Sequence, residues 1–153
     1  MTERLEGLSA EVLERRMARP RSGQRWCGPG PRFLTPDEAV GLIGDGAHLS
    51  IEGSGGGLLE PDALLAALGR RFAETGMPRN LTVTHTTGIG DREGGGMDLL
   101  AHRGLIRRVV AGNWGMAPEM SRLALSGGFE AYNFPQGVMA QLYREVAAGK
   151  PAA

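Results

Sequence analysis

Residues Asp45 to Pro61 read DGAHLSIEGSGGGLLEP. The turn Gly44-Asp45-Gly46 feeds an alternating apolar run, Ala47, Leu49 and Ile51, the period of a strand with one buried face. Gly53, Gly55, Gly56 and Gly57 follow, and Pro61-Asp62 opens an amphipathic segment. The order is strand, glycine loop, helix. Glycines let a ligand approach the main chain closely. The helix beyond them turns its free N–H groups, and the positive end of its dipole, back towards the loop. Loops in this position are where α/β proteins bind anionic or carbonyl-bearing ligands. Taken alone the stretch fits a plain surface loop equally well, so the rest of the chain decides.

Upstream, Thr35-Pro36-Asp37-Glu38 has the pattern of a capped helix start, with Ala39, Val40, Leu42 and Ile43 as its buried stripe and Gly44 as its end. Downstream, the helix from Pro61 is expected to bury Leu64, Leu65, Leu68 and Phe72 and to stop at Gly76 and Pro78. Leu81 to Thr86 alternates as a second strand and runs into Thr87-Gly88-Ile89-Gly90-Asp91. Residues 97–103 have a helical pattern. Ile106 to Ala111 reads as a third strand, followed by the loop Gly112-Asn113-Trp114-Gly115 and a helix near Pro118 with Met116, Met120, Leu123 and Ala124 on its apolar face. Phe129 to Asn133 reads as a fourth strand, Pro135-Gln136-Gly137 as a fourth loop, and Val138, Leu142 and Val146 as the buried face of a last helix. Strands alternating with helices predict an α/β fold, an open and mainly parallel sheet with helices on both faces and right-handed crossovers. All four glycine-bearing loops then meet at one sheet edge.

The composition sets the outer bounds. At 153 residues, 41% hydrophobic and 22% charged, the chain has the size and make-up of one globular domain. Seventeen basic and 17 acidic residues cancel, so no net basic field points to nucleic acid or an acidic membrane surface. No apolar run approaches the ~20 residues of a membrane span. Cys27 is the only cysteine, which precludes an internal disulfide and suits a reducing compartment. Acids are interleaved among Arg4, Arg15, Arg16 and Arg19, and no apolar leader core is present, so a cytoplasmic location is expected. Residues 1–32 read as an amphipathic arm and a linker, and 33–153 as the domain. Trp26-Cys27-Gly28-Pro29 resembles a thioredoxin motif by letters, but Gly30 stands where the resolving cysteine belongs.

Several chemistries are argued against. Leu58 occupies the third glycine position of a dinucleotide fingerprint, and no ribose-binding acid follows about twenty residues on. His48, His85 and His102 are not spaced for a metal site and read as packed or surface residues. Ser54 lies in no GxSxG elbow. Glu52 closes the first strand beside the glycines, where a carboxylate can act as nucleophile or base; its expected partner is a nearby N–H group or an arginine.

Four segments in this order resemble the family I CoA-transferases, especially the acetate/propionate branch: Asp45–Asp62, Gly76–Asp91, Leu100–Pro118 and Glu130–Pro151. The resemblance spans about Phe33 to Pro151 and implies a fold of the NagB/RpiA-like kind. It also implies a two-step exchange. A glutamate attacks the acyl-CoA thioester and expels CoA thiolate, giving an acyl-glutamyl anhydride. The thiolate returns to form a glutamyl-CoA thioester, from which an acceptor carboxylate takes the CoA. Backbone N–H groups stabilise the oxyanions. That glutamate lies in an E-x-G motif of the family's second half. Glu74-Thr75-Gly76 and Glu93-Gly94-Gly95 fit it by letters only. The expectation is therefore an α-subunit-like portion whose glutamate comes from a segment not in this chain.

The resemblance assigns substrate and CoA contacts to Gly53, Ser54, Gly55, Gly56 and Gly57 in the first loop, Gly88 and Gly90 in the second, Asn113 and Gly115 in the third, and Gln136 and Gly137 in the fourth. No catalytic residue, metal or resident cofactor is expected, coenzyme A being a substrate. The implied partners are an acyl-CoA, a small carboxylate, a beta-type subunit or missing C-terminal half, and a further copy of the chain. The rival readings are a non-catalytic relic or binding subunit of the same fold, and an acyl-CoA hydrolase relative. Where the family has a small residue and a Gly-Phe pair, this chain has Glu52, Gly53 and Ser54, with one more residue before the proline.

Overall fold

The computed structural model describes residues 33–53, 56 and 58–150. The arm and linker expected over 1–32 lie outside that range, as do Ser54, Gly55 and Gly57. The first helix, α1 (Pro36–Gly41), begins in the expected capping box: the Thr35 hydroxyl accepts from the Glu38 N–H while the Glu38 carboxylate accepts from the Thr35 N–H. It ends earlier than predicted, and Leu42 is exposed rather than buried. The Arg71 side chain donates to the carbonyls of Val40 and Ile43 and so closes this short helix from outside.

Strands β1 (His48–Ser50), β2 (Leu81–His85), β3 (Ile106–Ala111) and β4 (Glu130–Asn133) form one parallel sheet in the order β1-β2-β3-β4. Leu49, Val83, Val109 and Ala131 stand in register across it. The connections are α2 (Asp62–Thr75), a 3-10 helix (Gly96–Leu100) and α3 (Pro118–Leu125). Each strand adds on the same side of its predecessor, so right-handed crossovers carry all three connections over one face. That face is apolar: Val83 and Val109 share a core with Leu65, Leu68, Leu100 and Met120. The last helix, α4 (Gln136–Ala147), returns over the other face. There the Tyr143 hydroxyl accepts from Ser50 Oγ at 3.0 Å and donates to Thr84 Oγ1 at 3.2 Å. Helices thus cover both faces, as the alternation predicts.

One expected helix face, that of α4, is turned, while those of α2 and α3 are kept in part. On α2, Leu65, Ala67, Leu68 and Gly69 are buried while Leu64 is exposed. A side chain at Gly69 would overlap the Leu99 carbonyl, so the 3-10 segment lies directly on the helix backbone. The helix expected over 97–103 is this shorter 3-10 turn. On α3 only Met120 is buried, and on α4 it is Met139, with Val138 and Val146 exposed. The inward face of α4 is the pair Met139 and Tyr143, one turn apart.

Candidate functional site

Parallel pairing continues just past the strands and draws the loops together. The Ile51 N–H donates to the Thr84 carbonyl, Gly112 N–H to His85 and Phe134 N–H to Ala111. Beyond these, Thr87 Oγ1 donates to the Gly53 carbonyl at 2.9 Å, and Gly56 N–H donates to the Gly90 carbonyl at 3.0 Å, tying the first loop to the second. The carboxyl edge of the sheet is therefore one connected surface among the described residues.

The expected site residues divide by burial. Gly88 and Gly90 are buried. A Cβ on Gly88 would lie 2.8 Å from Met116 Cγ and 3.2 Å from Asn113 Cγ. Gly90, at φ +146°, lies against the Met116 carbonyl, where any side chain would overlap it. Gly53 is half-buried and lies against the Leu59 carbonyl. Gly56, Asn113, Gly115, Gln136 and Gly137 are exposed. Asn113 Oδ1 accepts from the Gly115 N–H at 2.7 Å, which turns its Nδ2 donor outwards from that contact. Gln136 and Gly137 open α4, which has no side-chain cap, so their N–H groups have no intrahelical acceptor. Gly112 seats this helix start on the second loop: a Cβ there would overlap the Thr86 carbonyl and lie 3.4 Å from Gln136 Cα.

The start of α2 has no side-chain cap, and its two acids reach out to the second loop. Glu60 Oε1 accepts from Gly90 N–H at 2.9 Å, and Asp62 Oδ1 accepts from Gly96 N–H at 3.0 Å. These carboxylates fasten the second loop to the start of α2, and two acids flanking a predicted helix start were the available signal for it. Asp91 does the same within its own loop, accepting from Glu93 and Gly95 N–H groups that hold its carboxyl below the usual range. Among the described residues Glu52 meets neither an N–H group nor an arginine; it accepts from Thr86 Oγ1 at 3.0 Å.

His85 is buried at the end of β2. Its Nδ1 lies 2.6 Å from the Thr87 carbonyl, which can only accept, so the proton is on Nδ1 and the Nε2 lone pair is left. Burial holds the imidazole below its ordinary pKa, partly opposed by that hydrogen bond and by Glu52. The ring meets Trp114 edge-on at 6.3 Å, and Trp114 stacks on Phe129 at 6.0 Å. Nothing in the spacing of these three residues reveals this stack, since it is built across three elements. Of the two E-x-G lookalikes, Glu74 lies in the last turn of α2, a helix about 20 Å long whose other end adjoins the loops. Glu93 is exposed in the loop after β2.

A parallel α/β sheet with its glycine loops gathered at the carboxyl edge is a ligand-binding class of fold. A family model described as Coenzyme A transferase matches residues 33–153, and the chain belongs to that family. It is 43% identical over 118 residues to the acetate CoA-transferase YdiF of Escherichia coli (strain K12), a match covering 77% of this chain and 22% of that protein. It is 35% identical over 121 residues to the caffeate CoA-transferase of Acetobacterium woodii, covering 78% and 23%. The crystal structure of E. coli O157:H7 acyl-CoA transferase YdiF in a thioester complex with CoA superposes with a TM-score of 0.75 at 42% identity, over 78% of this chain and 25% of that one. The apoenzyme of the same protein gives 0.76 at 41% identity, over 81% and 25%. The chain thus spans about a quarter of the length of the relatives it matches. Among the described residues, no helix is long and apolar enough to cross a membrane.

Proposed function

We propose that this chain is the N-terminal, α-subunit-like portion of a CoA-transferase that moves CoA between a short-chain acyl-CoA and a carboxylic acid. The glutamate that carries the glutamyl-CoA thioester comes from a segment outside the chain, either a beta-type subunit or a C-terminal half. The observation that carries the reading is the family match over 33–153, together with loops joined along one sheet edge. Among the described residues, that edge exposes the Asn113 amide and the first N–H groups of α4 at Gln136 and Gly137. These groups suit an oxyanion formed at a thioester carbonyl, because backbone dipoles fixed in place need no reorganisation as charge develops. The buried Gly88 and Gly90 serve the site indirectly, by letting the third loop lie on the second. Acetate and propionate are the proposed substrate range, and the cytoplasm and a homo-oligomer the proposed setting.

Co-expression with a chain carrying the family's E-x-G segment tests this. The expected result is CoA transfer from acetyl-CoA to propionate and a glutamyl-CoA adduct on the added chain by mass spectrometry, with none from the 153-residue protein alone. Transfer at enzymatic rates by this chain alone overturns the missing-glutamate reading. Assembly without any adduct favours a binding subunit, and release of free CoA without transfer favours a hydrolase.

A further inference from the structure

We propose that Glu52 is a specificity residue: its carboxylate, at the mouth of the loop edge, selects against acyl-CoAs whose acyl group ends in a second carboxylate. The inference rests on the proposed function, in which the first loop lies beside the acyl group. Ile51 points into the core, so the alternation of the strand turns Glu52 to the opposite side, where Thr86 from the neighbouring strand end meets it. Glu52 is exposed, and one of its oxygens takes the Thr86 hydroxyl. A hydroxyl orients a carboxylate without cancelling its charge. Among the described residues the ion pairs are Arg70–Asp37, Arg108–Glu130, Arg122–Glu119 and Lys150–Glu145, and none involves Glu52. Arg92 is also brought to this edge, where its Nε donates to the Gly115 carbonyl on the third loop and its guanidinium keeps a single positive charge. His85, next along β2 from Thr84, has its imidazole held below the ordinary range by burial, partly opposed by the Thr87 hydrogen bond and by Glu52. The acids Glu60, Asp91 and Glu93 of the same edge outnumber the Arg92 cation and add to the negative charge of Glu52. An acyl tail reaching this corner therefore meets negative charge. A neutral tail loses nothing, while a second carboxylate is repelled.

Butyryl-CoA and succinyl-CoA differ at the far end of the acyl chain, so the shared CoA moiety cancels from their ratio of affinities. Calorimetric titration of the 153-residue protein is expected to show butyryl-CoA binding about tenfold more tightly than succinyl-CoA at low salt. Glu52→Gln, which can still accept from Thr86, narrows that ratio towards one, and Glu52→Asp retains it. Raising the ionic strength narrows it in the unmodified protein, a response that steric exclusion does not give and that needs no variant to fold. Equal affinities, or a ratio unmoved by both Glu52→Gln and salt, overturn the role of Glu52 and leave the proposed function standing. Failure to bind butyryl-CoA at any concentration up to ~1 mM, a binding energy of only ~4 kcal/mol, overturns the role of Glu52 as a selector within this chain, while the proposed function stands or falls with the co-expressed pair.

Discussion

The Thr87 hydroxyl donates to the Gly53 carbonyl across 2.9 Å, joining the loop after β2 to the loop after β1. Both residues are half-buried, so loss of the donor leaves a carbonyl that water replaces only in part. Thr87→Val keeps the shape and removes the bond. It is expected to lower stability by about 1 kcal/mol, read from the midpoint of urea unfolding at constant slope. Thr87→Ser retains the bond and most of the stability.

Gly90→Ala is the harsher change. Its Cβ would meet the Met116 carbonyl in a conformation, φ +146°, that side chains rarely adopt. The expected loss is about 3 kcal/mol or more, and separation of the second and third loops. Urea unfolding measures the first, and faster amide exchange at Arg92, whose N–H donates to the Met116 carbonyl, reports the second.

His85 makes stability depend on pH. Its pKa is lowered in the folded chain, so the unfolded chain takes up the proton first as pH falls. The contribution is fully present above the unfolded value of about 6.5 and is lost as pH drops from there through the folded value. His85→Asn preserves a donor to Thr87 but cannot titrate, and is expected to flatten the thermal midpoint between about pH 7 and 5. An unchanged slope in the variant would assign the acid sensitivity to other groups.

The turned face of α4 gives a direct contrast. Met139 is fully buried and Val146 is 63% exposed. Met139→Ala is expected to cost about 2–5 kcal/mol and Val146→Ala under ~0.5 kcal/mol. The periodicity of Val138, Leu142 and Val146 predicts the reverse order, so the pair of unfolding curves decides between the two faces.

That contrast also shows what the chain makes legible. Elements marked by local chemistry are read closely: the Thr35–Glu38 box, the run Ile106–Ala111, and Gly76, whose φ of +68° ends α2. The α/β class follows from alternation alone. Helix faces are read less well because a helix sees its surroundings and not only its own hydrophobicity. Tyr143 turns α4 inward because two strand hydroxyls, Ser50 and Thr84, offer it partners that a hydrophobic stripe does not register. At the site, the clustering of Asn113, Gln136 and the glycine loops follows from parallel topology. The Glu60–Gly90, Asp62–Gly96 and Glu52–Thr86 bonds join residues about thirty positions apart, and local spacing carries no trace of them.

The strand order β1-β2-β3-β4 has a consequence for how the chain reaches its fold. Among the described residues no strand is inserted between two earlier ones, so each strand emerging from a ribosome finds the neighbour before it in sequence already in place. Growth is by accretion at one rim, as with bricks laid along a course. Short loop closures at every step favour rapid assembly. Among the described strands, β4 adds to the rim without interrupting any pair formed before it.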